Sequence, residues 1–350
     1  MIRVTSGNIV QADAEALVNT VNCVGFMGKG IALQFKKAFP ANFKAYQRAC
    51  RVGDVCSGRM FVYETESFTN PKYIINFPTK CHWKGNSRLE NIETGLAALT
   101  EVLRERGIRS VAIPPLGCGL GGLDWRIVRP MIVQALESLP DTEVLLFEPA
   151  GTPEPRRMPV GTARPRMTLA RALMLLLMQR YSELEYKLTL LEIQKLGYFL
   201  QESGEPMRLR YEAALYGPYA HNLNKLLEVM EGHYTRGYGD TQKPDVEIDL
   251  LPGAVEQASS YLQGDVEHCT RLERVARLIE GFETPHGMEL LSSVHWVATH
   301  GDPPVVTAEE AVRSVHDWNE RKRGMFPADH IRVAWARLQE QGWVVGTSGN

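Results

Sequence analysis

Between Ala150 and Pro165 the chain carries four prolines and two glycines without any apolar periodicity, and this stretch limits the fold more than any other. Proline lacks a backbone donor and glycine weakens both helices and strands, so such a segment reads as an extended connector. It divides the 350 residues into a front domain (1–150), a connector (151–166) and a back domain (167–350). Two domains also suit a chain longer than one ordinary core supports.

Before the connector, β-rich runs at 16–21, 60–64, 73–77, 110–114 and 143–147 alternate with helical patterns at 31–38, 42–50, 87–106 and 125–136. That alternation predicts an α/β domain with a mixed, mainly parallel sheet covered on both faces. Ligands of such sheets sit beyond the carboxyl ends of the strands. After the connector the pattern turns helical, at 169–183, 190–201, 219–230, 254–263, 269–280, 289–299, 308–320 and 330–341. Residues 246–250 read as one strand, and 216–219 as a turn leading into a helix.

Composition narrows the class. With 44% hydrophobic and 23% charged residues, the chain is neither disordered nor fibrous. The longest apolar run, at 172–178, is far short of the roughly 20 residues a membrane span needs, and the N-terminus turns polar at once. Six cysteines without a CxxC pair predict a reduced, cytoplasmic protein with neither a disulfide framework nor a bound metal. The net charge of −2 is unevenly spread: 1–150 carries +3, 151–166 another +3, and 167–350 carries −8. A mildly basic front suits a polyanionic ligand; an acidic back repels one.

Two loops follow strands and precede helices. The first contains Asn22, Cys23, Gly25, Gly28, Lys29, Gly30 and Ile31. Glycines before a helix start let the backbone approach an anion, where free N–H groups and the positive dipole end favour a diphosphate. Its spacing, G-x-x-G-x-G, is neither the dinucleotide fingerprint nor a Walker loop. The second runs Leu116, Gly117, Cys118, Gly119, Leu120, Gly121, Gly122, Leu123, Asp124. Four glycines in six residues cost conformational entropy unless the backbone must lie against something. On local sequence Asp124 reads as a helix N-cap and Cys118 as a small packing residue. Lys80 closes the strand Ile74 to Lys80, where a desolvated amine could attack a sugar anomeric carbon. His82 and Lys84 are competing candidates.

The ordered set Gly7-Asn8-Ile9, Ala16-Leu17-Val18-Asn19-Thr20-Val21-Asn22, Gly28-Lys29-Gly30-Ile31-Ala32, Ile75-Asn76-Phe77-Pro78 and Pro115-Leu116-Gly117-Cys118-Gly119 resembles the macrodomains, ADP-ribose-binding α/β/α sandwiches. The likeness covers roughly residues 1–150 and is strongest to the terminal ADP-ribose glycohydrolases, whose signature is a lysine at the place of Lys80. With a helical domain after the connector, the chain resembles the antitoxins of the DarT/DarG type. That resemblance implies a DNA ADP-ribosyl glycohydrolase that removes ADP-ribose from thymine, reversing a cognate DarT transferase toxin, which the back domain would bind. It implies Asn8 and Ile9 at the adenine and Asn22 near the distal ribose. Gly28, Lys29, Gly30 and Ile31, with Gly117, Cys118, Gly119, Leu120, Gly121 and Gly122, would lie along the diphosphate. Lys80 and Asp124 would be catalytic, without cofactor. Two departures stand out: Asn8 replaces a common aspartate, and Gly121 stands where the protein-directed relative has an acid, with Asp124 three residues on. The competing readings are an ADP-ribose reader without catalysis and a DNA-associated regulator. Lys80 speaks against the first, since simple binding has no use for it; the −8 of the back domain speaks against the second.

Overall fold

The computed structural model describes residues 1–149, 159–182, 188–239 and 247–345. Their contacts form two units, one running from Met1 to Arg164 and taking in Gly239, the other beginning at Pro165.

The first unit is built from β1 (Ile2–Thr5), β2 (Ala16–Asn22), α1 (Gly30–Ala38), α2 (Pro40–Arg51), β3 (Phe61–Glu64), β4 (Tyr73–Lys80), α3 (Leu89–Glu105), β5 (Ser110–Ile113), α4 (Trp125–Leu136) and β6 (Glu143–Phe147). The sheet order is β1-β6-β5-β2-β4-β3, and every neighbouring pair is parallel except β3 with β4. Successive side chains in a strand point to opposite faces. Val18, Ile75, Ile113 and Leu146 accordingly bury themselves with Leu99 and Ile132, from α3 and α4. Leu17, Ile74, Ala112 and Leu145 bury with Phe35 of α1. Both faces are covered, which is why these strands read as apolar runs rather than alternating ones. The predicted α/β sandwich is what forms.

Three details differ from the sequence expectation. Strand β1 was not foreseen, because four residues with a partner as distant as β6 leave no local signal. Strand β4 continues past Phe77 to Lys80. Of the connector, residues 150–158 lie outside the described residues; beyond them Gly161 donates its N–H to Lys37 O at 2.7 Å, tying the exit of the chain to the last turn of α1.

The second unit comprises α5 (Leu169–Ser182), α6 (Leu190–Glu202), β7 (Tyr211–Ala214), β8 (Gly217–Ala220), α7 (Leu223–Met230), β9 (Thr235–Arg236), β10 (Asp249–Leu250), α8 (Ala254–Tyr261), α9 (Val266–Ile279), α10 (Pro285–Thr299), α11 (Ala308–Trp318), α12 (Glu320–Met325) and α13 (Ala328–Glu340). Its central helix α6 is buried on all sides from Glu192 to Leu200. Residues 216–219 do not lead directly into a helix. Gly217, at φ +89°, opens β8, which pairs antiparallel with β7, and α7 waits until Leu223. The strand read at 246–250 is reduced to β10, paired with β9, and Val246 lies outside the described residues. Among the described residues no helix is long and apolar enough to cross a membrane.

Candidate active site

Strands β5, β2 and β4 are neighbours, so their carboxyl ends deliver the two glycine loops and Lys80 to one edge of the sheet. Asn22 and Lys80 are paired in register, just past an irregularity that skips Thr79. From there the half-buried Lys80 side chain crosses to the second loop and donates its Nζ to Leu120 O at 3.2 Å. Burial holds the amine below its usual pKa, and among the described residues no carboxylate pairs with it. The two loops also meet each other: a Cβ on Gly30 would lie 3.3 Å from Leu120 Cδ1.

The first loop is organised by Asn22. Its Oδ1 accepts from Val24 N (3.0 Å), Phe26 N (3.3 Å) and Tyr46 Oη (3.2 Å), and its Nδ2 donates to Phe26 O at 2.6 Å. Tyr46 is buried and also donates to Asn22 O at 2.6 Å. The amide thus shapes the loop first, and any contact to a sugar would share those bonds. Lys29 precedes α1, and its burial lowers its pKa.

The glycines of the second loop differ in what demands them. A Cβ on Gly117 would strike Leu123 and Ser87, and one on Gly121 would sit 2.3 Å from Gly117 O. Gly122 has φ +76°, a left-handed conformation that disfavours side chains. Gly119 has neither constraint: it is exposed, and its Cβ would meet nothing within 4 Å. The fold has no use for a glycine there, but an object lying on the loop would. The N–H groups of Gly119, Leu120 and Gly121 donate to no other described residue, so this turn holds three donors without a protein acceptor. Cys118 donates its thiol to Leu116 O at 3.4 Å; burial and then the Asp124 charge push its pKa up to about 11, which leaves it inert.

Asp124 caps α4. Its Oδ1 accepts from Arg126 N at 2.9 Å, and its Oδ2 takes Arg126 Nη2 at 2.7 Å. These bonds hold an exposed carboxyl below its usual range, the opposite of what a proton donor near neutrality requires. Asn8 caps the short turn Ile9–Gln11 through Val10 N (3.1 Å), and its enclosed Nδ2 has no partner among the described residues. Ile9 is buried in the same cluster as Leu17 and Phe35, which takes its side chain out of reach of a ligand.

Sequence reasoning missed the support beneath the loops. Asn19, Asn76 and Asn42 are fully buried and linked, Asn19 Nδ2 to Asn76 Oδ1 at 3.0 Å and Asn76 Nδ2 to Asn42 Oδ1 at 2.7 Å. Asparagines at buried strand positions were the available signal, since buried amides persist only when bonded. Ser87 was missed as well; its enclosed Oγ lies against Gly117 and Gly121 and has no hydrogen-bond partner among the described residues.

The macro domain family model matches residues 18–132. A Thermus aquaticus protein named DNA ADP-ribosyl glycohydrolase is 44% identical over 343 residues, covering 98% of this chain and 94% of its own. The chain belongs to the DNA ADP-ribosyl glycohydrolase family. A Mycobacterium tuberculosis glycohydrolase of the same name is 43% identical over 354 residues, 97% of this chain and 99% of that one. A Thermosipho africanus protein, named as a fusion of DNA ADP-ribosyl transferase and DNA ADP-ribosyl glycohydrolase, is 35% identical over 153 residues, 39% of each chain. The macrodomain resemblance drawn from the glycine loops and Lys80 is borne out, and the glycohydrolase likeness extends through the helical unit.

Proposed function

We propose that the chain hydrolyses the N-glycosidic bond between ADP-ribose and a thymine base of DNA. The observation that carries this is Lys80: a half-buried amine of lowered pKa, without a carboxylate partner, set between two glycine loops. A binding module has no need of it. The unpaired N–H groups of the second loop hold the diphosphate together with the first turn of α1 beyond Gly30, whose own N–H is taken by Gly239 O. The spare Nδ2 of Asn8 donates to a ring nitrogen of adenine rather than accepting from its amino group. Lys80 Nζ then forms a bond to the distal ribose C1 as the C1–N bond to thymine breaks. The base leaves with the electron pair and takes a proton, and water at C1 releases ADP-ribose and restores the amine. Asp124 shapes the loop–helix junction rather than moving that proton.

The test is release of ADP-ribose from a thymine-modified oligonucleotide. Asp124→Ala should change its kcat by less than about tenfold, an effect carried through loss of a cap typically worth ~1 kcal/mol. Gly119→Val should fold normally and yet weaken ADP-ribose binding at least about tenfold, measured by calorimetry, because its side chain would enter space the fold leaves open. Unchanged affinity removes that loop from the site.

We further propose that the second unit binds the cognate transferase toxin. The −8 charge of residues 167–350 supports it, since an enzyme acting on DNA must present a basic groove that an acidic surface would fill; the fused relative supports the pairing of the two activities alone.

A further inference from the structure

Two large aromatic rings stand exposed beside Lys80. Phe26, in the loop after β2, is 40% exposed, and Trp83, three residues beyond Lys80, is 37% exposed. Because β2 and β4 end side by side, the rings meet, with centroids 5.4 Å apart and planes 39° from parallel. Trp83 is displayed at the tip of a tight turn, closed by Gly85 N to His82 O (3.1 Å) and by Lys84 N to His82 Nδ1 (3.2 Å). The His82 ring stacks on it at 5.5 Å, and Lys84 Nζ lies 5.1 Å from its centroid. Nothing in the core uses these rings, and soluble proteins seldom leave a contiguous aromatic pair on the rim of a site without a partner for it.

The chemistry of the substrate says what fits. Thymine N1 carries the deoxyribose, so the only other ring nitrogen open to ADP-ribose is N3, on the edge that pairs with adenine. A modified thymine therefore cannot pair, and its strand is locally open. Unpaired bases offer π-faces, which stack on aromatic side chains whatever their sequence, while a neighbouring cation takes the phosphates. Resting on the hydrolase reading above, we propose that Trp83 and Phe26, flanked by His82 and Lys84, form a stacking platform for unpaired nucleobases next to the modified thymine. The platform is a specificity element apart from the ADP-ribose site.

The experiment compares two substrates on the full-length protein: an ADP-ribosylated thymidine mononucleotide, and a single-stranded oligonucleotide with the same modification at its centre. Trp83→Ala is expected to raise KM for the oligonucleotide about tenfold, leaving kcat and mononucleotide hydrolysis within about twofold, and Trp83→Phe should restore most of the loss. Equal effects of Trp83→Ala on both substrates, or on neither, overturn the platform, as does failure of Trp83→Phe to rescue. Failure of the wild-type protein to release ADP-ribose from either substrate would instead strike the hydrolase reading, so the two ideas fail separately.

Discussion

Lys80→Ala is expected to lower turnover of thymine-modified DNA by about 10²–10⁴-fold while ADP-ribose affinity stays within about twofold. Among the described residues the amine's hydrogen bond to the second loop is to Leu120 O, so its removal leaves the unpaired donors of Gly119, Leu120 and Gly121 in place. On the proposed mechanism, what disappears is a group used chiefly when C1 becomes electron-deficient. A pH profile adds a second reading. Burial lowers the Lys80 pKa, so the neutral, nucleophilic fraction grows as pH rises and saturates sooner than for an ordinary lysine. In the wild type kcat should climb with pH and level off below the usual lysine range, and that limb should vanish in the variant. Cleavage by Lys80→Ala near the wild-type rate would remove the nucleophile from the mechanism.

Glu289→Ala is expected to destabilise the second unit by about 3–5 kcal/mol, the usual cost of stripping the partner from a buried charge. Glu289, on α10, is 1% exposed, and Lys322, on α12, is fully buried. Lys322 Nζ donates to Glu289 Oε1 at 2.8 Å and to Ser293 Oγ at 2.9 Å, while Arg321 Nη2 reaches Oε2 at 3.1 Å. Nearby Lys195 on α6 donates to Pro218 O at 2.7 Å, and burial, then the Lys322 charge, push its pKa down to about 7. Without the carboxylate, the two buried lysines lie beside the partly exposed Arg321 with no anion bonded to them among the described residues. Unfolding frees them to take up protons near the ordinary lysine pKa, so the unfolded chain binds more protons above pH 7. The defect should therefore soften as pH rises from about 7 toward 10. Denaturant titration at both ends of that range checks the sign. Toxin capture by the full-length variant should fail while its hydrolysis of modified DNA persists, since α10 belongs to the second unit and the glycine loops and Lys80 to the first. A stability loss below about 1 kcal/mol would mean Glu289 does not hold the cluster.

Legibility from the sequence followed the range of the interactions. The glycine loops and Lys80 could be read because each marks the end of an apolar strand, and strand ends are where such sheets bind ligands. The difference among the glycines could not: Gly121 is required by Gly117 O and Ser87, whereas Gly119 is not required by the fold at all, and only coordinates separate the two. For Asp124 the helix N-cap read from local sequence is what forms, its carboxylate held by Arg126 two residues away. The hairpin of β7 and β8 was taken for a turn into a helix because Gly217 and Pro218 look like turn residues, yet Gly217 supplies the positive φ that starts a strand. The Glu289 cluster was invisible because its members come from three helices, and charged residues within helices ordinarily belong to a solvated face.

The sheet order also fixes a sequence of events in time. A ribosome makes β1 first and β6 last in this unit, yet Ile2 pairs with Val144 and Thr5 with Phe147. Strand β6 lies between β1 and β5, so until Phe147 has left the exit tunnel the first strand has no neighbour and β5 presents an open edge. Open edges invite pairing with other chains. The nascent macrodomain is thus most exposed to misassembly just before its last strand emerges, and β1, the first of its strands to be made, is among the last to be incorporated.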